Sequence, residues 1–149
     1  MNPFLLPAHE RLSDWKLFRN SLVDLPEKEA FQAVADYWSM APLTKLAYDP
    51  ENPDDWLSPW EMVSAGDWCP YSRALGMEFT LRLAGYDSSR LKLMLMRDYT
   101  ISEQLMVLKI DDKYALNYTE GMVVDFPNTD QTILVIWQFD GRKYTSVRS

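Results

Sequence analysis

The apolar positions change their period once along the chain, at Gly85. Before it they recur at helical spacing, and after it they alternate as in a half-buried strand. Phe31, Val34, Ala35 and Trp38 stand at i, i+3, i+4 and i+7 behind Pro26, Glu27 and Glu29, which predicts a helix starting at Pro26 and limited by Pro42. A shorter helix carrying Trp15, Leu17, Phe18, Leu22 and Val23 reads as capped by Ser13-Asp14 and ending near Asp24. Residues 1–12 read as an irregular N-terminal arm, with Phe4, Leu5 and Leu6 available for packing on the body or on a neighbour. Pro42, Pro50, Pro53 and Pro59 exclude a long regular element between Met40 and Pro59. Tyr48, Trp56 and Trp60 break the polarity of that stretch, so it reads as an ordered loop pinned to the core. Ser58 caps one or two turns over Pro59 to Val63 that stop at Gly66. A helix from about Pro70 to Ala84 follows, ended by Gly85. Tyr71, Ala74, Leu75, Phe79 and Leu83 share one side, and Met77 and Leu81 widen the stripe enough for a central, buried helix. Gly76 lowers helix propensity there by about 1 kcal/mol relative to alanine, which implies either close packing of another element or plain tolerance.

Beyond Gly85 the alternating pattern predicts strands over Leu91 to Met96, Gln104 to Ile110, Lys113 to Tyr118, Met122 to Phe126, Thr132 to Phe139 and Lys143 to Val147. Asp111-Asp112 and Asp140-Gly141 supply hairpin turns. Helices followed by antiparallel strands make an α+β fold, with N-terminal helices and a central helix packed on a C-terminal antiparallel sheet. The reading is one domain over 1–149, with an arm (1–12), a helical part (13–85) and a sheet part (86–149).

Composition narrows the function classes. With 47% hydrophobic residues in 149, the chain holds one core. A formal net charge of −7 argues against a phosphate-backbone partner, so nucleic acid is excluded as a partner class. No apolar run approaches the roughly 18–20 residues that span a bilayer, so no membrane is implied. The short apolar run after Met1 lacks a preceding positive charge and is bracketed by Pro3 and Pro7, unlike a signal peptide. A single cysteine makes neither an internal disulfide nor a zinc site and suits a cytoplasmic location; no cofactor and no metal are implied. Eight methionines and six tryptophans offer more large apolar surface than a small core needs, and the excess points to a protein partner or self-association, with Phe4, Leu5, Leu6, Trp56 and Trp60 as candidates.

The chemistry-bearing candidate is Cys69, at the point where the Gly66-Asp67 turn gives way to the central helix. Backbone N–H groups and aligned peptide dipoles at a helix start favour a thiolate. The Trp-rich proline loop, Gly66-Asp67-Trp68-Cys69-Pro70-Tyr71 at a helix start, and Gly85-Tyr86 before a strand meander resemble bacterial transglutaminase-like cysteine peptidases of the papain-like group, over residues 55–125. The resemblance implies a cysteine nucleophile at Cys69, a histidine base on the second following strand and an orienting Asp or Asn on the next. Asn117 matches the orienting position, while the histidine position holds Gln104 or Leu105, neither of which accepts a proton at neutral pH. The only histidine, His9, lies in the arm.

Three readings follow from the missing base. The first is a non-catalytic transglutaminase-like domain, a structural or interaction component. The second is a cysteine hydrolase or acyltransferase using Cys69 and Asn117. The third is a ligand-binding or inhibitory module using the inactive cleft. A fainter resemblance, carried by Trp38-Ser-Met-Ala-Pro42 and by Asp49-Pro-Glu-Asn-Pro-Asp-Asp-Trp-Leu-Ser-Pro-Trp-Glu-Met62, links the chain to small uncharacterised tailed-phage proteins and implies a virion or assembly setting in the host cytoplasm.

Overall fold

The computed structural model describes residues 2–44, 49–98, 103–126 and 131–147; Tyr48 lies outside them. Among these residues, helices α1 (Ala8–Ser21), α2 (Glu27–Ser39), α3 (Pro59–Ala65) and α4 (Pro70–Leu83) precede strands β1 (Leu91–Asp98), β2 (Glu103–Ile110), β3 (Tyr114–Leu116), β4 (Val124–Asp125), β5 (Gln131–Phe139) and β6 (Tyr144–Ser146). The strands form one antiparallel sheet in the order β4-β3-β2-β1-β5-β6. The fold is α+β, and its boundary falls where the hydrophobic period changes.

The axis of the molecule is α4, on which every side chain from Ser72 to Leu81 is buried. A helix hidden on all sides must satisfy its polar groups internally. Thr80 shows how: its Oγ1 accepts the indole N–H of Trp15 (3.0 Å) and of Trp38 (2.9 Å) and donates to the Gly76 carbonyl (2.6 Å). One hydroxyl therefore joins α1, α2 and α4. The face of α2 that the pattern predicts, Phe31, Val34, Ala35 and Trp38, is fully buried against this centre. Gly76 is where the Trp38 ring of α2 rests directly on α4, since a Cβ built there would lie 2.5 Å from that ring. Close packing, rather than tolerance, explains this glycine.

The sheet is buried on both faces at its middle. Leu91, Leu93, Met106, Leu108 and Ile110 join the helical core. Met94, Met96, Val107, Ala115 and Ile136 form a second cluster with Leu105, Tyr118 and Phe126 packed against it. Burial on both sides explains why β1 is apolar at every position from Leu91 to Met96 except Lys92.

The N-terminal segment differs from the irregular arm that the pattern predicts. Asn2 caps a 3-10 turn over Pro3–Leu5, and α1 begins at Ala8, directly after Pro7. Ser13 and Asp14 are consequently inside α1 rather than at its start: Ser13 Oγ donates back to the His9 carbonyl and Asp14 accepts from the Tyr37 hydroxyl. Phe4 is not a free interaction residue. It is 3% exposed and wedged among the rings of Tyr37, Trp38 and Trp68 at centroid distances of 5.0–5.2 Å. Leu6 is half-buried, and of the three arm candidates Leu5 alone stands in solvent. Leu17, on α1, and Val23, in the 3-10 turn Leu22–Asp24 that follows it, are also exposed, while Trp15 and Arg11 of α1 and Leu22 of the turn are buried.

Candidate functional site

The turn that leads into α4 is built by α3. Ser58 and Glu61 close a capping box at its start, and Gly66, with φ of 84°, ends it in the left-handed region that glycine adopts freely. Arg11 of α1 reaches across to hold this end, its Nη1 donating to the carbonyls of Val63 (2.8 Å) and Ser64 (3.1 Å). Trp68 is buried with its indole N–H on the Met62 carbonyl, and its own carbonyl accepts the Thr44 N–H. The chain therefore enters α4 along a fixed path, and Cys69 takes the N-cap position.

Cys69 is 2% exposed. Its backbone N–H donates to Ser72 Oγ (2.8 Å), whose hydroxyl donates back to the Cys69 carbonyl (3.0 Å). Asn117, at the end of β3 with φ of 67°, donates through Nδ2 to the carbonyls of Pro70 and Met106, both at 2.9 Å. One side-chain amide thus stitches the first turn of α4 to β2 beside Cys69. Gln104 is elsewhere: it is exposed near the outer end of β2, paired with Arg97 of β1. The β2 residue next to the α4 entry is Met106, buried in the helical core. Met106 closes a small space with Trp56, Tyr71 and Leu75 that has no volume for a water-sized sphere. Burial pushes the Tyr71 phenol up, and the neighbouring Cys69 adds to the shift. His9 is exposed on α1. The structure therefore brings Cys69 and Asn117 to one end of α4 and leaves Gln104 and His9 on the surface.

A second arrangement lies toward the other end of α4. The loop 53–60, the second half of α4 and the β5–β6 hairpin enclose a groove of about 490 Å³. Its floor is a buried polar network that the hydrophobic pattern does not single out. Glu78, 1% exposed, accepts from Arg82 Nε (3.0 Å) and Nη2 (3.3 Å) and from the Tyr144 hydroxyl, and Arg82 Nη2 also donates to Tyr144 (3.2 Å). The Arg82 guanidinium lies 3.7 Å from the Phe139 ring centroid. Burial raises the Glu78 carboxyl above its ordinary range, opposed by the charge and hydrogen bonds of Arg82 and by Tyr144. Burial and the neighbouring Glu78 raise the Tyr144 phenol as well. The signal available in the sequence was the Glu78–Arg82 pair at i,i+4 inside a helix whose apolar stripe marks it as buried.

Trp56 packs edge-on against both Trp137 and Tyr144, and its indole N–H donates to the Asp49 carbonyl; Trp137 donates to the Pro50 carbonyl. These bonds pin the proline loop to the sheet, as its aromatics imply. Trp56 is therefore half-buried, whereas Trp60 on the groove rim is 52% exposed. Asp111-Asp112 is a left-handed turn, with φ of 56° and 55°, paired to Arg90 and Lys92. Among the described residues no group of three or more His, Cys, Asp or Glu is arranged to hold a metal ion, and no helix is long and apolar enough to cross a membrane.

No family model matches the sequence, and no curated protein matches it. Solved structures do. LapG of Legionella pneumophila superposes with a TM-score of 0.72 at 21% identity, over 92% of this chain and 76% of that one. Its calcium-bound form gives 0.74 at 20% identity over 97% and 84%, and its EGTA-treated form 0.73 at 21% over 95% and 78%. At that identity the likeness establishes the fold, which is transglutaminase-like, as the Gly-Asp-x-Cys resemblance implies.

Proposed function

We propose that this chain is a transglutaminase-like domain that does not perform acyl transfer at Cys69 and serves as a structural or interaction component, engaging a protein partner or a second copy of itself. The observation that carries the reading is the residue facing the α4 entry on β2. It is the buried thioether Met106, which neither takes a proton from a thiol nor returns one to a leaving group. The burial of Cys69, 2% exposed, supports the same reading, because an acyl donor needs access to the sulfur. The virion or assembly setting, in host cytoplasm or particle, rests on the sequence resemblance alone.

The cysteine hydrolase or acyltransferase reading has one observation in its favour, the Asn117 amide on the Pro70 carbonyl beside Cys69. Alkylation by iodoacetamide between pH 5 and 9, with a denatured control, separates the two. Labelling of the folded protein that is slow throughout, or that rises only near the ordinary thiol pKa of about 8.5, supports the non-catalytic reading. Rapid labelling below about pH 7 means a stabilised, accessible thiolate and restores the hydrolase.

A further inference from the structure

We infer that the N-terminal segment 2–6 is a releasable strap that keeps Cys69 closed off, and that its release opens the turn 66–69 to solvent while the rest of the fold stays intact. The strap acts on how the turn is held, whatever the thiol does, and so goes beyond the proposed function.

The segment is fastened at three points. Asn2 Nδ2 donates to the Met40 carbonyl (2.7 Å), the Phe4 ring stands among Tyr37, Trp38 and Trp68, and the Leu6 carbonyl accepts Arg11 Nη2 (2.9 Å). Its own N–H groups are spent inside it, that of Phe4 on Asn2 Oδ1, that of Leu5 on the Asn2 carbonyl and that of Leu6 on the Pro3 carbonyl. No strand or helix ladder therefore has to break for the segment to leave. Leu5, in its middle, is 72% exposed. An element held by one ring and two side-chain hydrogen bonds belongs to the low-stability end of a fold, where opening is local rather than global.

Two of the three fastenings also hold the turn into α4. Phe4 stands edge-on to the Trp68 ring, and the Arg11 guanidinium lies 5.2 Å from the centroid of that same ring. The guanidinium that takes the Leu6 carbonyl also takes those of Val63 and Ser64 at the end of α3, and it stands beside Gly66. Arg11 Nε is buried without a hydrogen-bond partner among the described residues, a cost of the strapped form that movement of the side chain relieves. Trp68 is buried, and Cys69 follows it directly. When the strap leaves, Trp68 keeps its bonds to the Met62 carbonyl and the Thr44 N–H but loses the ring that covers it, and Arg11 loses one of its three carbonyls. The turn is thereby loosened at both residues that fix its path, and the thiol at its end becomes reachable.

The test uses the full chain and iodoacetamide at pH 8.5, with urea stepped only through concentrations below the unfolding transition. Phe4→Ala should accelerate labelling of Cys69 about tenfold or more, the size set by losing one buried ring. Asn2→Ala, at the outer end of the strap, should accelerate it about threefold or more, as expected from one hydrogen bond, and decides the matter if Phe4→Ala does not fold. In both variants the rate should be nearly flat in urea, the mark of a small opening, whereas labelling through global unfolding climbs with the full equilibrium slope. Met94→Ala, a core loss on the far face of the sheet, should give no flat acceleration. Unchanged labelling in Asn2→Ala and Phe4→Ala, acceleration that climbs with the full unfolding slope, or an equal flat acceleration in Met94→Ala each overturns the strap. The variants are compared with wild type at one pH, so a lowered thiol pKa, which moves all of them alike, counts against the non-catalytic reading alone.

Discussion

Replacing Gly76 by alanine sets two opposed effects against each other, and the structure decides between them. In an exposed helix the change would stabilise by about 1 kcal/mol through helix propensity. Here the new methyl would sit 2.5 Å from Cη2 and Cζ2 of Trp38 and 2.6 Å from Cε2, where carbon contacts prefer about 3.5–4.0 Å. The Trp38 ring must therefore retreat by about 1 Å. It is fully buried, and its indole N–H is bonded to Thr80, so it has no soft direction in which to go. Overpacking of this kind costs about 1–3 kcal/mol, and straining the Trp38–Thr80 bond adds about 1 kcal/mol. Net of the propensity gain, Gly76→Ala should destabilise by about 1–3 kcal/mol, which for a chain of this length lowers Tm by about 2–12 °C. Urea unfolding followed by far-UV circular dichroism measures it, and the midpoint should move without a change in slope. Combining it with Trp38→Phe should recover part of the loss, a coupling of about 0.5–3 kcal/mol. A Tm equal to or above wild type would refute the claim that Trp38 sets the distance between α2 and α4.

Further outcomes follow from the same contacts. Thr80→Val keeps the shape but strands the indole N–H groups of Trp15 and Trp38, each worth about 1–3 kcal/mol when left unpaired in the core, and calorimetry should show a loss of at least about 2 kcal/mol. Asn117→Ala removes both carbonyl contacts and puts a Cβ without local hydrogen bonding at φ of 67°, so a fall of about 1–3 kcal/mol is expected; Asn117→Gly should fall less, because the backbone strain is relieved. The folded-state pKa of Glu78 is raised, so its contribution to stability is full below the ordinary value of 4.5 and is lost as pH rises through the folded value; Glu78→Gln should flatten that decline in urea midpoints taken across pH 3–9. Asp111 runs the other way. The Arg90 guanidinium hydrogen-bonded to it lowers its pKa, so its contribution is present above the ordinary 3.8 and is lost as pH falls through the depressed value, and Asp111→Asn should remove this acid limb.

The parts of the fold that could be read from the residues are those in which local chemistry and burial agree. The α2 face, the Ser58–Glu61 box, the Gly66 and Gly85 stops and both hairpin turns each combine a periodic pattern with a residue type that only one backbone conformation suits. The start of α1 could not be read because its local signals conflict. Ser13-Asp14 is a good cap motif, yet Pro7 is also a good helix entry, and the choice was made by tertiary contacts: Arg11 reaching the α3 carbonyls and Phe4 docking under Trp38 and Trp68. Long-range bonds of this kind leave no periodic trace. The same holds for Leu17, which is apolar but lies two residues from Trp15, on the side of α1 that the buried Trp15 leaves outward.

At the candidate site the strand register separates what spacing can tell from what it cannot. Side chains alternate along β2, so Gln104, Met106, Leu108 and Ile110 share the face that turns toward α4, whereas Leu105 packs with the cluster on the other face. Spacing does not give depth along the strand. Depth is set by where β3 and the residue after it grip β2: Asn117 donates to the Met106 carbonyl, and Leu116 lies opposite Leu108. Gln104 lies one full repeat farther out, beyond that grip and in solvent. The residue that meets the first turn of α4 is therefore a buried methionine. A single substitution at Gln104 would place a base at the rim, not beside the sulfur. For that reason Gln104→His alone should leave iodoacetamide labelling of Cys69 unchanged at neutral pH, whereas labelling that accelerates at least tenfold in that variant would show that the cleft reaches out to position 104 and that Met106 does not close it.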